Sequence, residues 1–422
     1  MRDALLGLRL RGETLRRQPR GERVQVLGRV LERLRARDSE ERRRLEQELP
    51  AATGFAAATV REGLACALEP FSASALEAVV ERELGGARSH EPGARPFERR
   101  ANGFDVTAVV LGGGVPTPAL LALAAPLLLG SPVLARCSSH DPVTAHVFAA
   151  ALAAEAPALA RCLELVSFPS DDAAALGELL AAPCVVAFGS DETMASLAAR
   201  MAPTQRFVRH GHRLSVAVLG PGAQRGPALA RAAAAVARDV ALWDQLGCLS
   251  PVALYVLGVE RVPDAVLAAL VTAFEDAAQR WPRGRVPAQA SARIAAERDT
   301  AELRAAAGAD VRIRGGRDFT LVAEPGAEFR GSLLYRLLRL HPVATAAQLL
   351  TALAPLGPHL AGVGVAGLGS PAGALAADLA ALGAARICSL GTLQAPPLGW
   401  CHDQPGVLLP LARLSDVEAG CV

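Results

Sequence analysis

The chain has 422 residues, enough for two or three domains and a large buried core. Its 44 basic and 42 acidic residues nearly cancel, leaving +2, which argues against a general nucleic-acid binder with a basic excess on one face. The eight cysteines are scattered without a CxxC spacing, so a reducing, cytoplasmic setting is expected. The eight histidines form no HxxxH or HExxH pattern, so no metal centre is expected.

The first twenty residues are rich in arginine and hold no apolar segment of signal-peptide type. Residues 1–85 read as helical. Val24, Leu27, Leu31 and Leu34 share one helical face, with arginine and glutamate on the other. Ser74 with Glu77 predicts a capping box opening a helix over 75–84. Residues 85–99 carry glycine, proline and charge without periodicity and read as a linker.

Residues 106–135 hold no charge, a length that could span a membrane. Gly112, Gly113, Gly114, Pro116, Pro118, Pro126 and Pro132 divide that run. It reads better as strand, turn, helix, turn and strand of a parallel sheet buried on both faces, so no integral membrane segment is expected. Strands are expected at 106–111, 133–135, 163–166, 185–188 and 214–219, with helices between, at 143–154 and 171–181 for example. This alternation predicts an α/β protein whose ligands sit in the loops after the strands: 112–118, 136–142 and 189–193.

A long helix over 227–242 leads into Trp243-Asp244-Gln245-Leu246-Gly247-Cys248, and a strand over 252–257 follows. A lone cysteine is by default a small buried hydrophobe. Cys248 differs, because it lies between a glycine and the Ser250-Pro251 turn, on a connection where a thiol can be exposed and its pKa lowered. Gly362-x-Gly364-x-x-Gly367 fits a dinucleotide fingerprint by letter, but no acidic residue follows at the end of the next strand.

The segment WDQLGCLSPVALYV resembles the nucleophile segment of the long-chain acyl-CoA reductases of bacterial luminescence, relatives of aldehyde dehydrogenases. Four further segments agree in the same order: LGGGVPTPALLALAAPLLLGSPVLARCSSHDPVTA, VAFGSDETMASLAARM, RFVRHGHRLSVAVLG and GWCHDQPGVLLPLARLSDVE. Together they span roughly residues 55 to 420. The resemblance implies an aldehyde-dehydrogenase-like fold: a helical N-terminal segment and linker (1–99), a Rossmann-type dinucleotide-binding domain (100–243), and an α/β catalytic domain with the cysteine nucleophile (244–390). It implies a tail (391–422) that returns to the first domain or reaches a partner subunit.

The resemblance also implies site residues. Cys248 is the acyl-carrying nucleophile, and Gly112, Gly113, Arg136, Ser138, Ser139, Gly189 and Ser190 are the cofactor-binding set. Where aldehyde dehydrogenases carry Lys-Pro-x-Glu-x-x-Pro, this chain has Arg136-Cys137-Ser138-Ser139-His140-Asp141-Pro142. A glutamate there would repel a 2′-phosphate, whereas Ser139 would not and Arg136 would attract one, so NADPH is the expected cofactor. Gly189-Ser190 opens a helix whose N–H groups suit a pyrophosphate.

Arg209 stands where hydrolytic relatives have the glutamate that activates water. Gly114 stands where relatives have the asparagine that helps hold the oxyanion, and losing one such donor commonly costs about 3 kcal/mol. Either the N–H groups of Cys248 and Gly114 suffice, another group substitutes, or turnover is slow.

The expected partners are acyl-CoA or another activated acyl substrate, further copies of the chain in a homo-oligomer, and an enzyme that delivers acyl groups. Three alternatives stay open at this point: an aldehyde dehydrogenase of other specificity, a catalytically weakened or partner-dependent protein of the same fold, and a serine hydrolase acting on acyl-CoA, disfavoured because Gly367-Leu368-Gly369-Ser370 lacks the spacing of a GxSxG elbow.

Overall fold

The computed structural model describes residues 1–85, 97–369, 372–402 and 405–418. Its chain divides into two compact units. The first holds Met1–Thr53, Leu68–Gly211 and Pro397–Val422; the second holds Gly54–Ala67 and His212–Pro396.

The first unit is built on a five-stranded sheet. After β1 (Phe97–Asn102), the strands β2 (Thr107–Val110), β3 (Val133–Arg136), β4 (Leu163–Val166), β5 (Cys184–Phe188) and β6 (Arg206–His210) follow, the last five pairing in the order β4-β3-β2-β5-β6. All of those pairings are parallel. Alternate residues serve opposite faces. Ala108, Val110, Leu134, Val185 and Ala187 join a core with Leu5, Leu8, Leu179, Met194 and Leu197 from three helices. The uncharged run 106–135 folds as β2, the helix Thr117–Leu129 and β3, and that helix ends on Gly130 in the left-handed conformation (φ 85°). Among the described residues, no single helix is long and apolar enough to cross a membrane.

The helices of the N-terminal segment do not form a body of their own. Arg23 is buried and donates to the carbonyls of Leu15 (3.0 Å), Leu128 (2.8 Å) and Gln18, tying Arg20–Arg35 to the end of Thr117–Leu129. A Cβ on Gly28 would lie 2.8 Å from that of Ala73, so this helix crosses Ala73–Leu84 at close range. The cap of Ala73–Leu84 is Ser72, not Ser74. Ser72 has extended backbone and its Oγ accepts from Ala75 N at 3.1 Å, which leaves Ser74 inside the first turn. Most of the expected linker, 86–96, lies outside the described residues.

The second unit holds a seven-stranded sheet of β7 (Leu214–Leu219), β8 (Pro251–Leu257), β9 (Arg312–Gly315), β10 (Thr320–Ala323), β11 (Leu337–Val343), β12 (Leu360–Ala366) and β13 (Arg386–Ser389). The order is β13-β12-β7-β8-β11-β10-β9, and only β9 is antiparallel. Ala217, Leu219, Leu254 and Val256 face the helices Gly226–Ala241 and Asp264–Arg280; Val216, Val218, Ala253 and Tyr255 face Ala346–Leu353 and Ala372–Leu382. The glycines of the GxGxxG string lie in β12 and at its end. Cβ atoms on Gly362 and Gly364 would meet Leu393 at 3.1 and 2.8 Å, so these glycines admit a packed leucine.

The boundary expected at residue 243 falls at Gly211/His212 instead, because β7 pairs with β8 and β12 and the helix after it packs on their sheet. The expected 391–422 tail is divided too. Gly391 N donates to Asp239 Oδ2 (2.6 Å), and Gln394 Nε2 donates to Asp239 O and Ser250 Oγ (both 3.0 Å), all within the second unit. From Pro397 the chain belongs to the first unit, where β14 (Arg413–Glu418) pairs antiparallel with β1. The Glu83 carboxylate is nearly buried and accepts from the N–H groups of Val407 (3.0 Å), Leu408 (2.7 Å) and Leu409 (3.1 Å), pinning this segment to the helix Ala73–Leu84.

Replacing Glu83 with Ala leaves three N–H groups without their acceptor, and about 1–3 kcal/mol of stability should be lost. Urea denaturation, with limited proteolysis after Pro397, measures it. Asp239 gives a pH-dependent expectation. Burial pushes its carboxyl up to about 7, against the Gly391 N–H and Arg238. Because the folded value lies above the unfolded one, Asp239 contributes stability at acid pH that is lost as pH rises from about 4 through 7. Asp239→Asn does not titrate, so the stability of Asp239→Asn minus that of wild type should rise over this window and level off above it. A flat difference in urea melts between about pH 5 and about pH 8 would contradict this account.

Candidate active site

Parallel pairing sets the carboxyl ends of β3, β2, β5 and β6 side by side: Val110 aligns with Arg136 and Ala187, and Phe188 with His210. This brings Gly112, Gly113, Gly114, Arg136, Ser138, Ser139, Gly189 and Ser190 to one edge of the first unit. A Cβ on Gly112 would lie 2.5 Å from the Phe188 carbonyl oxygen, so the loop after β2 passes too close to β5 for any side chain. Gly113 has φ 75°, a conformation costly for other residues. Gly114 is half-buried beside it.

Arg136 donates through Nε (3.2 Å) and Nη2 (3.1 Å) to the Phe168 carbonyl, and its guanidinium lies 5.1 Å from the Phe168 ring centre. Two of its five N–H groups thus hold the guanidinium in place. Ser138, expected as a cofactor contact, makes two hydrogen bonds within the protein. It is buried, its hydroxyl donates to Gly113 O (2.8 Å) and accepts from His140 N (3.1 Å), and it thereby ties the loop after β3 to the loop after β2. Ser139, next in sequence, is exposed. Ser190 caps the helix Asp191–Ala198 by accepting from Thr193 N (3.3 Å), with Gly189 immediately before it. Asp191 and Glu192 occupy its first turn, where negative charge suits the helix dipole.

Two features of this edge escape a sequence reading. The rings of Phe188, His210 and His402 stack in a row, with centres 4.4 and 4.9 Å apart, and Trp400 lies tilted against His402 at 4.8 Å. Phe188 and His210 end β5 and β6, and the other two come from the C-terminal segment; Asp403, paired with His402 in sequence, lies outside the described residues. Asp141 is buried, and its Oδ1 accepts from Val143 N and Thr144 N, capping the helix Thr144–Glu155.

Cys248 belongs to the second unit. The helix before it ends at Ala241, and the chain then turns through Leu242–Gln245 toward Pro251, the first residue of β8. The thiol therefore stands near the amino end of that strand.

The thiol-bearing turn is held from several sides. Cys248 is half-buried, and its carbonyl accepts from Ser215 Oγ at 2.7 Å. Ser250 N donates to Gly247 O (2.9 Å), closing the turn around it. Trp243, Asp244 and Gln245, just upstream, all have positive φ (56°, 50° and 65°). Each such residue costs about 1–2 kcal/mol in place of a right-handed one. Burial pushes the thiols of Cys66, Cys137, Cys162, Cys184 and Cys388 up, that of Cys184 to about 12. Such thiols stay protonated and inert.

Comparison with known proteins places this architecture. Similar solved structures include an aldehyde dehydrogenase from Brucella melitensis biovar abortus 2308 (14% identity, 98% of this chain and 88% of that one, TM-score 0.76). They also include a putative methylmalonate-semialdehyde dehydrogenase from Sinorhizobium meliloti 1021 complexed with NAD (14% identity, 98% and 88%, TM-score 0.75). A salicylaldehyde dehydrogenase from Pseudomonas putida G7 complexed with salicylaldehyde is similar as well (14% identity, 98% and 88%, TM-score 0.72). The fold is aldehyde-dehydrogenase-like. No curated protein matches the sequence. A model of the family described as acyl-CoA reductase (LuxC) matches residues 20–416, nearly the whole chain, and the chain belongs to that family.

Proposed function

We propose that this protein reduces a long-chain fatty acyl-CoA to the fatty aldehyde, with NADPH as reductant and Cys248 as the acyl carrier. The observation that carries the reading is the contrast among thiols. Cys248 is partly exposed on a braced turn, whereas Cys66, Cys137, Cys162 and Cys184 are buried and Cys388, equally part-exposed, lies on the strand β13. Family membership supports the reaction class.

In this scheme the Cys248 thiolate attacks the thioester carbonyl, the carbon–sulfur bond to coenzyme A breaks, and the coenzyme A thiolate leaves. The reductant, when bound, supplies a hydride to the carbonyl carbon of the acyl-enzyme. The resulting thiohemiacetal oxyanion collapses, its carbon–sulfur bond breaks, and aldehyde and the Cys248 thiolate are released. One acyl-CoA, one NADPH and one proton give one aldehyde, one coenzyme A and one NADP⁺.

The loop edge of the first unit fits a dinucleotide. Gly112 leaves bare backbone where a Cβ would meet Phe188 O, and the Ser190-capped helix start offers N–H groups to a pyrophosphate. Arg136, held by the Phe168 carbonyl, keeps N–H groups for a 2′-phosphate, and the exposed Ser139 brings no negative charge there. NAD is bound in at least two of the similar structures, so the choice of NADPH rests on Arg136 and Ser139.

Cys248→Ala should abolish NADPH oxidation with a series of acyl-CoAs from short to long chain, a loss of at least about a thousandfold given that nothing else carries the acyl group. Aldehyde formation at the wild-type rate in this variant would sink the acyl-enzyme scheme. Ser139→Glu should raise the KM for NADPH about tenfold or more by placing a carboxylate beside the 2′-phosphate, and should change the KM for NADH much less. Equal effects on the two cofactors would place the 2′-phosphate elsewhere.

A further inference from the structure

The described residues contain six non-glycine residues with positive φ, and they fall in two runs of three: Trp243, Asp244 and Gln245, then Leu334, Tyr335 and Arg336. The two runs lead into neighbouring parallel strands. The first precedes Cys248 and β8, and the second precedes β11, which aligns Arg339 with Ala253. Left-handed backbone at such side chains persists only where its surroundings enforce it.

The enforcing contacts run between the two runs. Arg336 Nε donates to Asp244 Oδ1 at 2.9 Å, and Nη2 lies 2.6 Å from the same oxygen, with both side chains at most 4% exposed. The second carboxylate oxygen accepts from Gly284 N (3.0 Å), and Arg336 Nη1 donates to Trp281 O (2.7 Å). Beside the pair, the Gln245 amide donates to Pro251 O (2.9 Å) and Leu337 O (3.0 Å), joining the first residues of β8 and β11. On the other flank, Trp243 packs edge-on against Phe55 with centres 5.5 Å apart, and a Cβ on Gly63 would lie 2.5 Å from its indole.

We propose that Asp244 and Arg336 are positioning residues that hold the Cys248 turn in its reactive geometry by locking two left-handed segments together. The inference rests on the reading of Cys248 as the acyl carrier and names what sets its backbone. Neither residue is assigned any contact with substrate. They act through Gln245, Leu246 and Gly247, and the pair braces a turn that has no glycine at its strained positions.

The test uses the full-length protein. Coenzyme A released on mixing with dodecanoyl-CoA, without reductant, is followed by stopped flow and reads acylation of Cys248. In parallel, iodoacetamide alkylation of Cys248 is followed against pH by mass spectrometry of its peptide, and the NADPH dissociation constant is measured. The variants are Asp244→Asn, which keeps the side-chain shape, and the double variant Asp244→Asn with Arg336→Leu, which leaves no unpaired buried cation and so keeps a foldable core if the single variant fails to fold. Arg261→Gln, which breaks an exposed ion pair with Asp310, is the control.

The expected result is acylation slowed about a hundredfold in both Asp244 variants, the effect of a small misplacement of a reacting group. The alkylation profile of Cys248 should be displaced, with the NADPH dissociation constant unchanged and Arg261→Gln like wild type. A role in folding alone would lower the melting temperature but leave the profile of the folded protein in place, and that result would overturn the proposal. Wild-type acylation in the double variant would overturn it while leaving the acyl-enzyme reading intact. Absence of coenzyme A release from wild type would overturn both.

Discussion

Two opposite charges buried against each other govern the second unit around Cys248. Burial pushes the Asp244 carboxyl above its ordinary value, while Arg336 and the Gly284 N–H pull it back. Taking both ions out of water costs several kcal/mol each, and two well-packed apolar residues would often serve stability as well or better. What an apolar pair cannot do is fix direction. Arg336 donates from Nε to one carboxylate oxygen and from Nη1 to Trp281 O, Nη2 lies 2.6 Å from that same carboxylate oxygen, and the remaining oxygen accepts from Gly284 N. The arrangement leaves little freedom for either backbone, and both backbones are left-handed. The ion pair is therefore better understood as a constraint on the chain than as a source of net stability.

The first unit reaches its geometry by a different route. Its determining feature is the close approach of backbones at the ends of parallel strands, where Gly112 passes the Phe188 carbonyl. Side chains then tie the loops: Ser138 to Gly113, Arg136 to Phe168, and Ser190 to Thr193. The C-terminal segment adds Trp400 and His402 to the rings that end β5 and β6, and Glu83 keeps that segment in place through three backbone N–H groups. A carboxylate far away in sequence thus helps set which rings stand at the loop edge.

The elements that were legible in the sequence are those whose periodicity is local. β7 lies where its apolar run lies, at Leu214–Leu219, and the long helix before Cys248 runs Gly226–Ala241 against an expected 227–242. The parallel α/β class followed from alternation alone. What was not legible depends on partners distant in sequence. Nothing in a strand pattern says that β7 joins a different sheet from β6, and this is why the boundary was misplaced. Ser72 and Ser74 are equivalent by composition, and only backbone geometry selects Ser72 as the cap. The left-handed runs were invisible because Trp, Gln, Leu, Tyr and Arg carry no local preference for positive φ; Arg336, which enforces one of them, is 92 residues from Asp244. The residues expected at the loop edge do lie together at the strand ends, while the hydrogen bonds of Ser138 to Gly113 and the Asp141 cap depend on backbone placement that a string of residues does not carry.

A nucleophile needs access and a fixed backbone together, and the cysteines of this chain separate the two requirements. Cys66, Cys137, Cys162, Cys184 and Cys388 have packed surroundings, but burial keeps their thiols protonated. Cys401 is exposed, between Trp400 and His402 in a segment without regular structure. Among the described cysteines, Cys248 is the one that combines partial exposure with a turn braced by Ser215, by the Gln245 amide and, through Asp244, by Arg336. Pre-organisation of this kind lets a thiol meet an incoming carbonyl without first ordering its own loop. The folded state carries the cost as left-handed backbone, which lies just before this cysteine in the chain and just before none of the other described cysteines.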